Sequence, residues 1–200
     1  ESMKILFATM PADGHFNPLT GLAVYLRDKG HDVRWYAPAR YARKLAGLGI
    51  PQLPYQRALD LIGDNLAEHF PEYEKLGTGP KAIEFATTKI FFGSVEGHFR
   101  DICDARATFP FDVLVCDGAL YAAKLVEEKL KVRVYGIGPA PTPHAKSKTA
   151  PPPFFGLRPA KTLFGRLRDR VVFHLVEGAM KPGMKILNEV FAREWLPPFE

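Results

Sequence analysis

Short apolar runs alternate with amphipathic stretches in the first part of the chain. Residues 4–8 form a short apolar run, which is typical of a parallel strand buried on both faces. The positions that follow repeat at helical spacing, with apolar residues on one side at Leu19, Leu22, Ala23 and Leu26. We expect Asn17 to cap this helix, Pro18 to open it and Gly30 to end it, before a second strand over 31–36. This order predicts a βαβ unit of a parallel sheet.

The alternation of strands and helices continues beyond this unit. A second helix is predicted over 38–48, and a strand-like segment follows at 50–53. Residues 58–105 lose the strand alternation and are predicted to form a mostly helical insertion. The first pattern then returns, with a strand at 113–116, a helix, and another strand at 132–137. The sequence therefore predicts an α/β fold built on a doubly wound, Rossmann-like parallel sheet.

Prolines mark the last third of the chain. Seven of the 18 prolines fall within 139–159, which predicts a long loop there. Helical periodicity returns over 163–195, with a predicted interruption at 182–183. The chain ends shortly after two consecutive prolines, as a linker between domains often begins. We expect residues 1–200 to be a single Rossmann-like domain cut from a longer protein.

Composition places the chain among ordinary globular proteins. Hydrophobic residues make up 46% and charged residues 24% of the 200 positions, which excludes disordered, collagenous and disulfide-scaffold classes. No apolar run approaches the roughly 20 residues that a membrane-spanning helix needs. The first residues show neither a basic segment nor a cleavage signal, so a cytoplasmic location is predicted.

Positive charge is concentrated toward the end of the chain. The net charge is +5, and the ten Lys and Arg against five Asp and Glu from residue 140 onward account for all of it. A basic face could meet an acidic partner, an anionic ligand or a membrane surface, or could simply be solvated. Basic and apolar residues mix over 163–173 in a way that suits an anionic membrane, although a surface helix packed on the sheet is the favoured interpretation. No recognisable module indicates a nucleic-acid partner.

The spacing of the cysteines and histidines indicates neither a metal site nor a disulfide framework. The two cysteines, Cys103 and Cys116, cannot build a disulfide framework and lack the paired spacing of a zinc site. Four histidines also lack ligand spacing and are expected to be structural or exposed: His69, His98, His144 and His174. No metal site is predicted.

The loop after the first strand carries the strongest chemical signal. Its sequence, MPADGHFN over 10–17, has one glycine instead of the G-x-G-x-x-G that a dinucleotide site uses, and no P-loop motif occurs. His15 follows Gly14 at the carboxyl end of the strand, where open α/β sheets bind ligands. His15 is therefore the leading catalytic candidate, and a turn histidine with a structural hydrogen bond is the alternative.

Two motifs, the first of which includes this loop, give the chain a family resemblance. The segment FATMPADGHFNPL at 7–19, followed by GHDV at 30–33, resembles the N-terminus of GT-B glycosyltransferases of the UDP-glycosyltransferase type, with the bacterial antibiotic and macrolide enzymes the most similar. The resemblance implies an acceptor-binding half whose donor-binding domain, in cis or in a partner chain, is absent from these 200 residues. By itself this segment is not expected to transfer sugar.

The resemblance also implies a reaction. His15 matches the family's general base, and Asp117, which ends the apolar strand VLVCD at 113–117, matches the aspartate that orients this base. The implied enzyme is an inverting, metal-independent transferase that moves sugar from a UDP- or dTDP-sugar to a hydroxyl of a small hydrophobic acceptor. The nucleotide-sugar is a substrate, so no cofactor is expected. Imidazole suits the removal of a hydroxyl proton near neutral pH, and a carboxylate can hold its second nitrogen.

Other residues are weaker candidates for the site. The donor-facing candidates are Gly14 and Asn17, and the acceptor-binding candidates are Asp13, Phe16, Phe91, Phe92, Leu120 and Pro141. Asp13 is more simply a loop-closing residue, Asn17 a helix cap, and at least one of the two adjacent phenylalanines a core residue. Asp117 is also a good N-cap for a helix starting near Ala119, and one carboxylate can serve both roles.

Two other functional classes remain open from the sequence. One is a non-catalytic half-enzyme or binding module that recruits a separate donor-binding chain. The other is a small flavodoxin-like or nucleotide-binding protein, which the glycine-poor first loop disfavours.

Overall fold

A parallel sheet forms the centre of the molecule. The computed structural model describes residues 2–61, 64–77, 79–138, 151–152 and 155–199. Within these ranges the strands are β1 (Lys4–Ala8), β2 (Asp32–Ala37), β3 (Gln52–Pro54), β4 (Val113–Asp117) and β5 (Arg133–Ile137). They lie in the order β3-β2-β1-β4-β5 and every pair is parallel. This arrangement confirms the predicted doubly wound α/β sheet.

Helices cover both faces of the sheet. They are α1 (Asp13–Asp28), α2 (Ala42–Gly47), α3 (Asp64–His69), α4 (Pro80–Phe85), α5 (Val95–Thr108), α6 (Ala122–Leu130) and α7 (Leu163–Arg193). Short 3₁₀ turns occur at Ala39–Tyr41 and Tyr73–Lys75, and a π-helical segment follows α4 at Ala86–Phe91. The predicted helical insertion over 58–105 is confirmed, since the described residues there form three α-helices, a 3₁₀ turn and the π segment.

The hydrophobic core lies on two sides of the sheet. Ile5 and Phe7 of β1 join the side covered by α1 and α2. Leu6 and Ala8 join the other side, where α5, α6 and the second half of α7 pack. Successive side chains of a strand point to opposite faces of the sheet. Since both faces are covered here, nearly every position of β1 is apolar.

Helix α1 begins five residues earlier than the sequence indicated, at Asp13 instead of Pro18. The N–H groups of His15 and Phe16 both donate to the carbonyl of Ala12, which precedes the helix in an extended conformation. Burial of Phe16 extends the apolar stripe by a turn toward the N-terminus, so packing starts the helix at Asp13. The prediction that Asn17 caps the helix and Pro18 opens it is wrong.

Helix α7 runs without interruption through Pro182, contrary to the break predicted there. Its second half is anchored by buried side chains, including Leu187 and Phe191, and its main packing partners are α4, the π segment and α5. This tertiary packing offsets the roughly 3 kcal/mol that an internal proline costs a helix.

The first half of α7 presents apolar side chains to solvent. The exposed residues are Leu163, Phe164, Leu167, Val171 and Leu175. Among the described residues, no helix is both long enough and apolar enough to cross a membrane.

Candidate active site

The two adjacent central strands bring the site together. Strand β1 pairs with β4 in a register that places Ala8 opposite Cys116. The residues that follow, Thr9 and Asp117, therefore emerge side by side at the carboxyl edge of the sheet. The chain leaves β1 for one face of the sheet and β4 for the other, which opens a crevice at this edge. Ligands of open α/β folds bind at such a switch point.

His15 and Asp117 are in direct contact at this edge. The Nδ1 atom of His15 lies 2.8 Å from Oδ1 of Asp117. The Asp117 side chain is completely buried, whereas a quarter of the His15 side chain, 25%, is exposed. Since Nδ1 faces the carboxylate, Nε2 is the ring nitrogen left to meet another group. The predicted partnership of these two residues is present in the structure.

Backbone groups hold the buried carboxylate of Asp117. Its Oδ2 accepts the N–H of Met10 at 2.6 Å, and its Oδ1 also accepts the N–H of Ala119 at 2.8 Å. These charge-assisted hydrogen bonds offset the cost of burying an ionised group. Helix α6 begins only at Ala122, with Tyr121 as its N-cap, so Asp117 closes the turn before the helix and the predicted start near Ala119 is wrong.

A tyrosine that the sequence did not point to supports the same edge. The hydroxyl of Tyr55, just after β3, donates to the backbone carbonyl of Thr9. The indole Nε1 of Trp35 donates to Oγ1 of Thr9 at 3.2 Å. Tyr55 directly follows β3, and that placement at the carboxyl end of a strand is the signal by which it could have been found.

Asp13, Gly14 and Asn17 occupy the exposed first turns of α1. Asp13 is 73% exposed at its side chain and accepts a hydrogen bond of 3.0 Å from the hydroxyl of Tyr41. Burial, and then this contact with Asp13, raises the pKa of Tyr41 to about 12. The Nζ of Lys44 donates to the side-chain oxygen of Asn17. The contact to Tyr41 agrees with the loop-closing role weighed for Asp13, and the ligand roles of all three stay predictions.

Three predicted acceptor-binding residues are buried in the core. Phe16 is fully buried and stacks on Tyr41 with ring centroids 4.1 Å apart. Phe92 and Leu120 are buried in the cluster on the other side of the sheet. Burial gives these three side chains a role in core packing, and their predicted contact with an acceptor stays a prediction.

The remaining two acceptor-binding candidates have different outcomes. Phe91 is partly buried against the core, at the end of the π-helical segment, and its predicted role is untested. Pro141 lies outside the described residues.

A second buried polar cluster links the insertion to the sheet. The hydroxyl of Tyr36 donates to Oδ2 of Asp101 at 2.9 Å and contacts Nδ1 of His98 at 3.0 Å. Since Tyr36 uses its proton on Asp101, it accepts the hydrogen bond from His98. Burial lowers the pKa of His98 to about 4, so the imidazole is neutral near pH 7. Of the histidines expected to be structural or exposed, His98 is structural.

Asp101 also holds the segment that follows Tyr55. Its carboxylate accepts the backbone N–H groups of Gln56, Arg57 and Ala58 at 2.9 to 3.1 Å. Burial raises the pKa of Asp101, but these hydrogen bonds and that of Tyr36 outweigh the effect, so the pKa lies below its usual value. The loop that carries Tyr55 is therefore tied to α5.

Neither cysteine shows the features of a reactive thiol or of a metal ligand. Burial raises the pKa of Cys116 to about 12, which keeps this thiol protonated and poorly nucleophilic. Within the described ranges, no three histidine, cysteine, aspartate or glutamate side chains come together as ligands of a metal ion would.

Several curated proteins are similar to the chain in sequence. It is 31% identical over 174 residues to 4'-demethylrebeccamycin synthase of Lentzea aerocolonigenes, which covers 87% of this chain and 41% of that protein. It is 31% identical over 161 residues to glycosyltransferase GtfE of Amycolatopsis orientalis, covering 79% of this chain and 36% of the relative. The chain thus spans about two fifths of the length of these relatives. No family model matches it.

Solved glycosyltransferase structures share the fold. SsfS6 of Streptomyces sp. SF2575 superposes with a TM-score of 0.63 at 17% identity, covering 99% of this chain and 48% of that chain. The glycosyltransferase of kitacinnamycin gives a TM-score of 0.63 at 16% identity, with 100% of this chain and 42% of that chain covered. SsfS6 has also been solved complexed with thymidine diphosphate.

Proposed function

We propose that this chain, a homologue of antibiotic glycosyltransferases with the GT-B type of α/β fold, is the acceptor-binding region of such an enzyme. The reaction proposed is inverting transfer of a sugar from a nucleotide-sugar to a hydroxyl of a small hydrophobic acceptor, without a metal or other cofactor. The observation that carries this proposal is the contact between His15 and Asp117 at the carboxyl edge of two adjacent strands.

His15 is proposed to be the general base. As the acceptor oxygen attacks the anomeric carbon, its proton passes to Nε2 of His15, the C–O bond to the acceptor forms, and the bond to the diphosphate breaks. One in-line displacement of this kind inverts the anomeric configuration. The imidazolium that results donates its Nδ1–H to Asp117, 2.8 Å away, and is stabilised by that buried carboxylate.

The exposure of the two side chains suits these separate roles. A base must reach the substrate, and His15 keeps an exposed edge. A group that orients the base must hold still, and the Asp117 carboxylate is buried and bound by the two N–H groups of Met10 and Ala119. A general base placed in this way contributes about 10²–10⁴-fold to a reaction rate.

The donor is proposed to be a dTDP- or UDP-sugar. Thymidine diphosphate in the structure of SsfS6, a protein of the same fold, supports this class of nucleotide. The leaving diphosphate carries charge that helix N-termini and side chains of a second, donor-binding region would neutralise. That region is proposed to lie in the part of the relatives that these 200 residues do not span, or in a partner chain.

The acceptor is proposed to contact the helical insertion beside the crevice. Phe91 ends a π-helical segment at Ala86–Phe91, and such segments occur frequently at functional sites. The partly buried ring of Phe91 is an apolar surface of the kind that a hydrophobic acceptor needs.

The test is a transfer assay on the natural protein that contains these residues. Wild type, His15→Ala and the control His174→Ala are assayed with dTDP- and UDP-glucose against hydroxylated aromatic acceptors. His174 is a suitable control because its side chain is 89% exposed on α7. We expect kcat to fall about 100-fold or more in His15→Ala only. Unchanged kcat in His15→Ala would refute the base, and acceptor binding without turnover in wild type would favour the half-enzyme.

A further inference from the structure

One peptide group is bound at both of its polar ends beside the proposed site. Thr9 and Met10 share this peptide, so the carbonyl of Thr9 and the N–H of Met10 lie in one plane. The carbonyl accepts the hydroxyl proton of Tyr55, and the N–H donates to Oδ2 of Asp117 at 2.6 Å. Tyr55 and Asp117 do not need to touch to be coupled, because each binds the same rigid group.

The rigidity of this peptide transmits the position of Tyr55 to Asp117. A rotation of the peptide plane that weakens one hydrogen bond turns the other away as well. Hydrogen bonds in series also polarise one another, so the donation from Tyr55 strengthens the N–H of Met10 as a donor. The indole of Trp35 donates to the side-chain Oγ1 of Thr9, so this hydrogen bond contacts the same residue but not its peptide group.

The surroundings of Tyr55 keep its hydroxyl in place as a donor. Its ring packs at 4.6 Å on Tyr36 and edge-on at 5.0 Å on His98, measured between ring centroids. Burial, with a further contribution from the charge of Asp117, raises the pKa of Tyr55 well above its usual value. The hydroxyl therefore keeps its proton near neutral pH.

We propose that Tyr55 is a positioning residue, which acts through the Thr9–Met10 peptide to hold the Asp117 carboxylate where it accepts the Nδ1–H of His15. The chain of contacts is Tyr55 hydroxyl, Thr9 carbonyl, Met10 N–H, Asp117 carboxylate and His15 imidazole. Its catalytic consequence rests on the proposed function of His15, whereas the tautomer of His15 does not depend on that function.

The variant Tyr55→Phe removes the hydroxyl and keeps the ring. The matched control is Tyr36→Phe, which removes a neighbouring buried hydroxyl that binds Asp101 and His98 instead of the Thr9 carbonyl. Nitrogen NMR of the natural protein, labelled at histidine, measures the two neutral tautomers of His15, with its signals assigned from His15→Ala. We expect the Nδ1–H form to dominate in wild type and Tyr36→Phe, and its ratio to the Nε2–H form to fall at least twofold in Tyr55→Phe.

Two results of that measurement would overturn the proposal. An unchanged tautomer ratio in folded Tyr55→Phe would show that Asp117 does not depend on the hydroxyl. An equal fall in Tyr36→Phe would show general loosening of the packing. If Tyr55→Phe does not fold, 3-fluorotyrosine at position 55 keeps the ring and strengthens the donor, and the Met10 amide proton should move downfield. A stationary Met10 resonance would then refute the coupling.

Kinetics separates this proposal from the proposed function. If the natural protein transfers sugar, we expect Tyr55→Phe to lower kcat about 10-fold with an unchanged acceptor KM, since small displacements of catalytic groups cost up to about 100-fold. If His15→Ala loses activity while Tyr55→Phe keeps both kcat and the tautomer ratio, the positioning role of Tyr55 is refuted and His15 remains the general base. If nothing is transferred but the tautomer ratio falls in Tyr55→Phe, the proposed function fails and the coupling stands.

Discussion

His15 and Asp117 lie 102 positions apart in sequence, and yet Nδ1 of one is 2.8 Å from Oδ1 of the other. The parallel pairing of β1 with β4 causes this proximity, because it brings the ends of both strands to one edge. Asp117 ends β4, whereas His15 is reached from β1 through a short loop and the first turn of α1. The contact therefore depends on strand register and on where α1 begins.

Loss of the negative charge at position 117 should lower the rate of sugar transfer. Asp117→Asn keeps the shape but removes the negative charge that stabilises the imidazolium, so we expect kcat to fall by about 10³–10⁴-fold. The control is Asp112→Asn. Asp112 also accepts a backbone N–H from β1, that of Lys4 at 2.8 Å, but at the opposite end of the strands. Equal activity of the two variants in transfer assays would contradict the assigned role.

Two glycines of α7 should respond in opposite ways to the same substitution. A Cβ at Gly183 would lie 2.7 Å from both Phe92 Cδ2 and Thr87 Cβ, whereas nothing lies within 4 Å of a Cβ at Gly178. We expect Gly183→Ala to lower the free energy of unfolding by about 1–3 kcal/mol through overpacking. We expect Gly178→Ala to raise it by about 0.5–1 kcal/mol, since alanine favours a helix. Urea denaturation measures both, and the same sign for both would refute this packing of α7 on the insertion.

Stability should decline in mild acid because of His98. Its pKa is lowered from 6.5 to about 4 by burial, so the unfolded chain binds more protons than the folded one between these values. We expect the free energy of unfolding to fall as the pH drops from 6.5 to 4, by on the order of 3 kcal/mol in total. Below pH 4, His98 should cause no further decrease in the free energy of unfolding.

The variant His98→Asn tests this origin of the acid sensitivity. Asparagine can keep a donor near the hydroxyl of Tyr36 but does not titrate, so the slope of stability against pH between 6.5 and 4 should decrease. His174→Asn, at an exposed position, should keep the wild-type slope. The free energy of unfolding is measured by urea denaturation at each pH. If it depends on pH equally in wild type and His98→Asn, groups other than His98 cause the acid sensitivity.

Phe16 should behave as a core residue and not as a ligand contact. Phe16→Ala removes a ring that stacks on Tyr41 and Trp35, so we expect the free energy of unfolding to fall by about 3–5 kcal/mol. Tyr25→Ala, on the same helix but 57% exposed, should cost much less. An increase in the acceptor KM of Phe16→Ala without loss of stability would support an acceptor contact instead.

Periodicity was sufficient to predict the sheet and its helices but not their exact limits. Alternation of apolar and polar positions reports which faces are buried, and it located every strand to within two residues of its observed range. Helix ends depend on packing as well as on local signals. Burial of Phe16 moved the start of α1, and packing of Gly183 on the insertion carried α7 through Pro182.

By itself, the sequence determined the order of strands and helices along the chain and pointed to His15, because His15 stands just after the first recognisable strand. The family resemblance added Asp117, at the end of the strand over 113–117. Only the tertiary structure decided that Phe16, Phe92 and Leu120 are enclosed in the core and that Tyr55 reaches the peptide between Thr9 and Met10. The physical reason is that periodicity indicates which face of a helix or strand is buried. A hydrogen bond between distant residues depends on strand register, loop path and side-chain direction. None of these leaves a repeating signal along the chain.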